Sequence, residues 1–180
     1  MGMEYRKLPH GEESLSVIGM GTSSIGMADE KEIAATVELA LESGVNFFDM
    51  ASADAAPFPV YGQVMAGVRD QVHFQVHFGA NYQGGTYGWT TDLDTIKRSV
   101  DWQLKALKPI TSTSASSTAW TRRRTCARSW TAACWTISSP SGAPGGVRHI
   151  ALSSHTPRVR QVLDLGARSD LMMVQHQPRL

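Results

Sequence analysis

The side chains best placed for chemistry stand at the ends of short apolar runs. Asp49 closes Val45 to Phe48, His77 lies near the end of Val72 to Phe78, and Val147 to Leu152 runs into Ser153 and Ser154. Gly21 and Thr22 end a further apolar and glycine-bearing run that starts at Val17. An imidazole changes charge within the physiological pH range, so His77 reads either as a titratable proton relay or as a structural histidine within a strand. Asp49 reads either as a functional carboxylate or as a solvated strand end. Cys126 and Cys134, eight apart, make no metal-binding or disulfide framework, and no metal site is expected.

The elements that must position these groups alternate. Tyr5 to Leu8 and Leu15 to Ile18 flank a polar turn and predict a hairpin. Asp29 is a good N-cap with Glu32 three residues on, Ile33, Val37 and Leu41 recur at helical spacing, and Gly44 stops the element. Val45 to Phe48 and Val72 to Phe78 predict buried strands, Leu93 to Leu107 a helix with Ile96, Val100 and Leu104 on one stripe, and Val147 to Leu152 a strand. Thr156-Pro157 opens another helix, with proline near its first position. Alternating strands and helices with short connections imply an α/β fold around a parallel sheet with covered faces. The spacing suits the first five or six units of a (β/α)8 TIM barrel, which needs roughly 250 residues when whole, so the N-terminal part of an incomplete barrel is expected from these 180.

Composition narrows the function classes. The 17 basic and 16 acidic residues favour neither nucleic acid nor an anionic membrane, and the Arg122-Arg123-Arg124 run falls in an anomalous segment. No apolar run approaches the roughly 18 residues of a membrane span, and the N-terminus lacks a signal pattern, so a cytoplasmic protein is the default expectation. Oligomeric state is not legible.

The anomalous segment is 109–145. Its stretch PITSTSASSTAWTRRRTCARSWTAACWTISSPS holds fifteen Ser and Thr residues, both cysteines and three of the five tryptophans, and no Asp or Glu occurs between Asp101 and Asp164. Joining the third base of each codon to the first two of the next gives, under one legal choice of codons, DYIDFGFIHCLD for Pro109 to Thr121, a strand with a polar end, and then an acidic, amphipathic stretch. Some steps are forced: Trp followed by Thr at Trp120, Trp130 and Trp135 yields only Asp, and Cys134 followed by Trp135 yields only Leu. With the opposite shift, the tail 174–180 can be read as FSINPAYD. The expectation is a lost base after Lys108, a gain near Gly145 and another near Val174, leaving a truncated, internally scrambled product. A natural Ser/Thr/Arg-rich linker is the bland alternative.

With these residues in view, the chain resembles the aldo/keto reductase family. The N-terminal hairpin, MGT at Met20 to Thr22, NFFDMAS at Asn46 to Ser52, WTTDLDTIKRSVDWQLKAL at Trp89 to Leu107 and VRHIALSSHTP at Val147 to Pro157 carry the resemblance, and the shifted strings continue it in order. It looks most similar to a branch with a C-terminal ferredoxin-like iron-sulfur region, so an iron-sulfur cluster is expected only in a full-length relative. The resemblance implies NADPH-dependent interconversion of small-molecule carbonyls and alcohols, with a tyrosine as proton donor assisted by Asp, Lys and His. A phenol near pKa 10 is a poor acid at neutral pH and needs such help.

Carried over residue by residue, Asp49 matches the family aspartate and Tyr61, followed by Gly62, the proton donor. Tyr61 lies twelve residues after Asp49 where the usual motif has five, and Asp54 stands in the usual place. Two readings stay open: the insert Ala53 to Val60 loops out and returns Tyr61 to the site, or Tyr61 packs beneath a loop. His77 stands where the family lysine ends the third strand. Gly21 and Thr22 match the loop lining the nicotinamide, and Ser153 and Ser154 the pair that holds its carboxamide. The catalytic histidine would be coded across Ser117 and Thr118, and the residues that grip the adenosine phosphate belong to later barrel units, so an inactive fragment is expected. Two other classes stay open: a non-catalytic half-barrel binding or assembly module, distinguished by a discrete dimer in solution, and a barrel isomerase or lyase, distinguished by turnover without NADPH oxidation.

Overall fold

The computed structural model describes residues 2–9, 11–108, 113–118, 147–154 and 171–174; for 113–118, 147, 150, 152–154, 171, 172 and 174 it describes the backbone alone. Strands β1 (Tyr5–Lys7) and β2 (Ser14–Ser16) form the antiparallel hairpin expected at the N-terminus. They are followed by β3 (Met20–Gly21), α1 (Glu30–Glu42), β4 (Phe47–Asp49), α2 (Pro57–Val64) and β5 (His73–His77). A small antiparallel pair, β6 (Ala80–Asn81) and β7 (Gly88–Trp89), precedes α3 (Leu93–Ala106), and β8 (Thr113–Thr118), β9 (Val147–Ser154) and β10 (Leu171–Val174) complete the order.

Six of these strands make one sheet in the order β10-β9-β8-β5-β4-β3, every pairing parallel. Each new parallel strand joins the outer edge of the one before it, the pattern of successive βα units in a barrel. Local chemistry explains the helices between them. The Asp29 carboxylate accepts from the Lys31 and Glu32 amides while the Glu32 side chain accepts from the Asp29 amide, which satisfies the free donors at the start of α1. Gly44, at φ +86, ends it in a backbone conformation that costs glycine little, and the Tyr5 hydroxyl donates to its carbonyl at 2.7 Å. Asp92 caps α3 by accepting from Thr95.

The core lies between the helices and one face of the sheet. Ile33 and Val37 of α1, Phe58 and Tyr61 of α2, Ile96 and Val100 of α3, and Phe48, Phe74 and Val76 of the sheet are all buried. Burial of each large side chain is worth about 1.5 to 3 kcal/mol.

Three elements depart from expectation. The segment read as an insert before Tyr61 closes into α2, started by Pro57 at its first turn, and its run PFPV is too uniformly apolar to show a helical stripe. Thr113–Thr118, read as lacking any period, extends as β8 because β5 and β9 offer it hydrogen bonds on both sides, and its threonines suit a strand. This is also where the shifted frame places a strand. Leu171–Val174 pairs with β9 as β10. The helix expected from Thr156-Pro157, the arginine run, both cysteines and the tail 175–180 lie outside the described residues.

The hairpin is latched beneath the sheet. Glu13 accepts from Arg148 Nη1 at 2.9 Å and lies 3.3 Å from His149 Nε2, both at the start of β9. Burial pushes the Glu13 carboxyl up, but the hydrogen bonds from Arg148, its own backbone and His149, with the charge of His149, outweigh this and hold it down at about 2 against an ordinary 4.5. A depressed carboxyl stabilises the fold fully above the ordinary value and loses that contribution as the pH falls through the folded value. Glu13→Gln should therefore cost about 1 kcal/mol at pH 7, given the half-exposed Arg148. The deficit relative to the parent should shrink between pH 4.5 and 2. Urea titrations of both proteins at pH 7 and pH 2.5 check this, and a deficit that does not change with pH contradicts it.

Candidate active site

β3, β4 and β5 lie side by side with Gly21 paired to Asp49 and Asp49 to Gln75. Side chains alternate along a strand, so Asp49, Gln75 and His77 share one face while Phe48, Phe74 and Val76 take the other. On the first face, Asp49 Oδ1 accepts from Gln75 Nε2 at 3.1 Å and lies 2.7 Å from His77 Nε2. An ionised carboxylate only accepts, which assigns the proton of that contact to Nε2. His77 and Gln75 are buried, whereas the Asp49 side chain keeps 20% of its surface exposed. The pair thus stands at the C-terminal ends of the strands, where barrel enzymes place their chemistry, and only its Asp49 side keeps appreciable exposure.

Backbone contacts hold both strand ends. The Thr22 amide and hydroxyl donate to the Asp49 carbonyl at 3.1 and 3.0 Å, and the Met50 amide donates to the Gln75 carbonyl at 2.8 Å. Gln103 of α3, fully buried, donates through Nε2 to the His77 carbonyl at 3.2 Å and accepts from the His77 amide at 3.4 Å. Ser99 of the same helix donates to the Ala80 carbonyl at 2.5 Å.

Tyr61 is on the far side of the sheet. Its ring packs edge-on to Phe48 at 5.9 Å and against Phe74 at 6.5 Å, between α2 and the sheet. It is fully buried, its hydroxyl has no hydrogen-bond partner among the described residues, and burial pushes the phenol well above its ordinary value. Of the two readings left open by the sequence, the structure takes neither in full: Tyr61 does not turn to the Asp49–His77 face, and it packs into the core from α2 rather than beneath a loop. A phenol on the helix-facing side cannot meet the Asp49–His77 pair through the sheet.

The loops after β4 and β5 are zipped to each other. The Ala55 amide donates to the Gly85 carbonyl at 2.8 Å, the Tyr87 amide to Ala53 at 3.0 Å, and the Tyr82 hydroxyl to Ser52 at 3.0 Å. Asp54, at the usual tyrosine position of the resemblance, forms a bridge with Thr86 and accepts from the Ala56 amide. Burial raises the Tyr82 phenol, and the nearby Tyr87 and Asp49 raise it further. Gly21 has open space where a Cβ would stand, and Thr22 is buried. Ser153 and Ser154 end β9 at the same edge of the sheet, opposite Met173 and Val174 of β10. No group of three or more His, Cys, Asp or Glu among the described residues is arranged to hold a metal ion.

The sequence reading missed Gln75, Gln103 and Tyr82. Gln103 carried a signal: Ile96, Val100, Gln103 and Leu107 fall on one helical stripe, and an amide there must find buried partners.

No family model matches the chain, and no curated protein matches it. Solved structures do. An aldo-keto reductase from Bacillus halodurans in its holo form superposes with a TM-score of 0.71 at 22% identity, over 97% of this chain and 58% of that one. Its apo form gives 0.63 at 18%, over 97% and 56%. A glycerol dehydrogenase from Gluconobacter oxydans gives 0.70 at 16%, over 97% and 55%. The chain therefore spans somewhat more than half the length of these neighbours, and its fold is the N-terminal part of a (β/α)8 barrel. Among the described residues no helix is long and apolar enough to cross a membrane.

Tyr61→Phe removes a buried hydroxyl without a partner. It should leave stability unchanged or raise it by about 1 kcal/mol. Urea unfolding of the two proteins at pH 7 measures the difference, and a loss above that size would mean the hydroxyl is engaged.

Proposed function

We propose that this chain belongs to an NADPH-dependent oxidoreductase of the aldo/keto type that interconverts small carbonyls and alcohols, with Asp49 and His77 as its proton-handling pair. The observation that carries the reading is the 2.7 Å contact between Asp49 Oδ1 and His77 Nε2 at the C-terminal ends of neighbouring parallel strands. The similarity in fold to an aldo-keto reductase in its holo form supports it.

Reducing a carbonyl to an alcohol requires a hydride at carbon and a proton at oxygen. The nicotinamide, when bound, supplies the hydride. The residues present suit that end of a nicotinamide cofactor: Gly21 leaves room at the strand end, Thr22 fixes the loop, and Ser153 and Ser154 are the strand-end residues that would hold the carboxamide. With Nε2–H held on Asp49, a doubly protonated His77 would pass the proton on Nδ1 to the carbonyl oxygen and be left neutral, while Asp49 orients the imidazole and balances the charge of its protonated form. Gln75 and Gln103 fix the carboxylate and the strand end. Tyr61, enclosed on the other face, serves the core.

The same proposal covers the anomalous segment. The forced Asp and Leu steps at Trp120, Trp130, Trp135 and Cys134 support an out-of-frame reading of 109–145, and the alternative string FSINPAYD supports one of 174–180. On that reading the printed β8 carries Ser117 and Thr118 where the restored frame carries a histidine, and the printed chain is inactive. Resequencing the gene from codon 105 to well past the stop tests the frame: if the single-base changes vanish, the product is the full-length enzyme, if they are confirmed the chain is a mutated fragment, and if the DNA beyond codon 180 continues no family-like frame the out-of-frame reading is rejected.

Activity is tested by following NADPH oxidation with a panel of aldehydes, using the printed and frame-restored chains. In the active form, Asp49→Asn and His77→Gln should lower kcat/KM roughly 10²- to 10⁴-fold, while Tyr61→Phe leaves it near the parent value. A large loss in Tyr61→Phe with full activity in His77→Gln would reverse the assignment.

A further inference from the structure

A cavity of about 350 Å³ lies between α3 and the β6–β7 pair, lined by Asn81, Tyr82, Gln83, Arg98, Ser99 and Trp102. Arg98, Ser99 and Trp102 recur at the spacing that puts residues on one side of a helix. None of Asp49, Gln75 and His77 lines the cavity. One wall is aromatic and held in place: the Tyr82 and Trp102 rings lie 5.6 Å apart, and they pack on Phe58 at 4.9 and 5.1 Å. Trp102 nonetheless keeps 37% of its surface exposed. The volume is at the small end for ligand sites, enough for a single-ring molecule.

The hydrogen-bonding capacity left in this cavity is mainly that of donors. The Tyr82 hydroxyl is spent on the Ser52 carbonyl and the Ser99 hydroxyl on the Ala80 carbonyl. Asn81 Oδ1 accepts from the Gln83 amide at 3.2 Å, which leaves the Asn81 side-chain N–H groups. Arg98 spends one of its five N–H groups, with Nη2 donating to Thr95 Oγ1 at 3.0 Å. No carboxylate among the described residues lies within ion-pair distance of Arg98: Asp94 is paired with Lys97, and Asp92, which feels the Arg98 charge, accepts from the Thr95 amide and hydroxyl. We propose that this cavity is a binding site for a small aromatic carboxylate, its ring against the Trp102 indole and its carboxylate on Arg98 and the Asn81 amide. Guanidinium–carboxylate hydrogen bonds are of the strong, charge-assisted kind, and aromatic rings gain affinity from offset or edge-on contact beyond simple burial. The site does not depend on the proposed reaction. All six lining residues precede Lys108, so it is the same in the printed and frame-restored chains.

The test is ¹⁹F NMR titration of the printed chain with 4-fluorobenzoate. 4-Fluorobenzamide is the probe that keeps the ring without the charge, and 3,3,3-trifluoropropanoate the one that keeps the charge without the ring. The parent should bind 4-fluorobenzoate at least about 5-fold more tightly than either. Arg98→Gln should lower the benzoate-to-benzamide affinity ratio roughly 3- to 10-fold, with Arg98→Lys, which keeps the charge and loses the planar fork, in between. Trp102→Leu should weaken both aromatic probes roughly 3- to 10-fold and leave the aliphatic acid unchanged. His77→Gln should leave the affinity for 4-fluorobenzoate at the parent value. Circular dichroism identifies any variant that fails to fold; should Trp102→Leu do so, the variants of the exposed Arg98 decide alone. No preference in the parent, an unchanged ratio in Arg98→Gln, or a benzoate affinity that falls in His77→Gln instead overturns the inference.

Discussion

The alternation of side chains along β4 and β5 governs both the core and the site. Phe48 and Phe74 turn toward α2 and gather Tyr61, while Asp49, Gln75 and His77 turn the other way and gather around a single carboxylate oxygen. A shift of either strand by one residue would exchange the two sets, burying the carboxylate among aromatic rings and exposing the phenylalanines. The apolar face therefore fixes the polar one. The register that hides Phe48 is the register that brings Asp49 to His77.

Helix α3 extends this coupling. Its apolar stripe seats the helix on the sheet, and Gln103 within that stripe reaches the last amide and carbonyl of β5. A buried amide of this kind is costly unless both its ends are satisfied, and here both are used on one residue, His77. The position of the imidazole is thus set by helix docking as well as by strand pairing. On the loop side, the zipped backbones of 53–55 and 85–87 restrain the chain just beyond Asp49.

Much of this was legible in the residues, where local rules dominate. The Asp29–Glu32 box, the Gly44 stop, the Ile96–Val100 stripe and the strands ending at Asp49 and His77 each follow from short-range chemistry. Tyr61 was not legible, because a count of residues from Asp49 cannot say whether a tyrosine returns to the mouth or goes under a helix; that depends on Pro57 starting α2. β8 was hidden for a different reason. Thr113–Thr118 has no apolar alternation of its own and becomes a strand only between two neighbours, both of them distant in sequence. Gln103 could have been found from its stripe, but its partner could not.

The latch between Glu13 and Arg148 joins residues 135 apart in the chain. During synthesis the hairpin is complete long before β9 exists, at the usual pace of roughly 5 to 20 residues per second. For several seconds Glu13 is a hydrated surface carboxylate on a two-stranded hairpin, a unit that is marginally stable by itself. Tyr5, Ser14 and Ser16 can tie the hairpin to Gly44 and Asn46 as soon as β4 exists, but its contact with β9 waits for residue 148, so the first element made receives its last fastening near the end of synthesis.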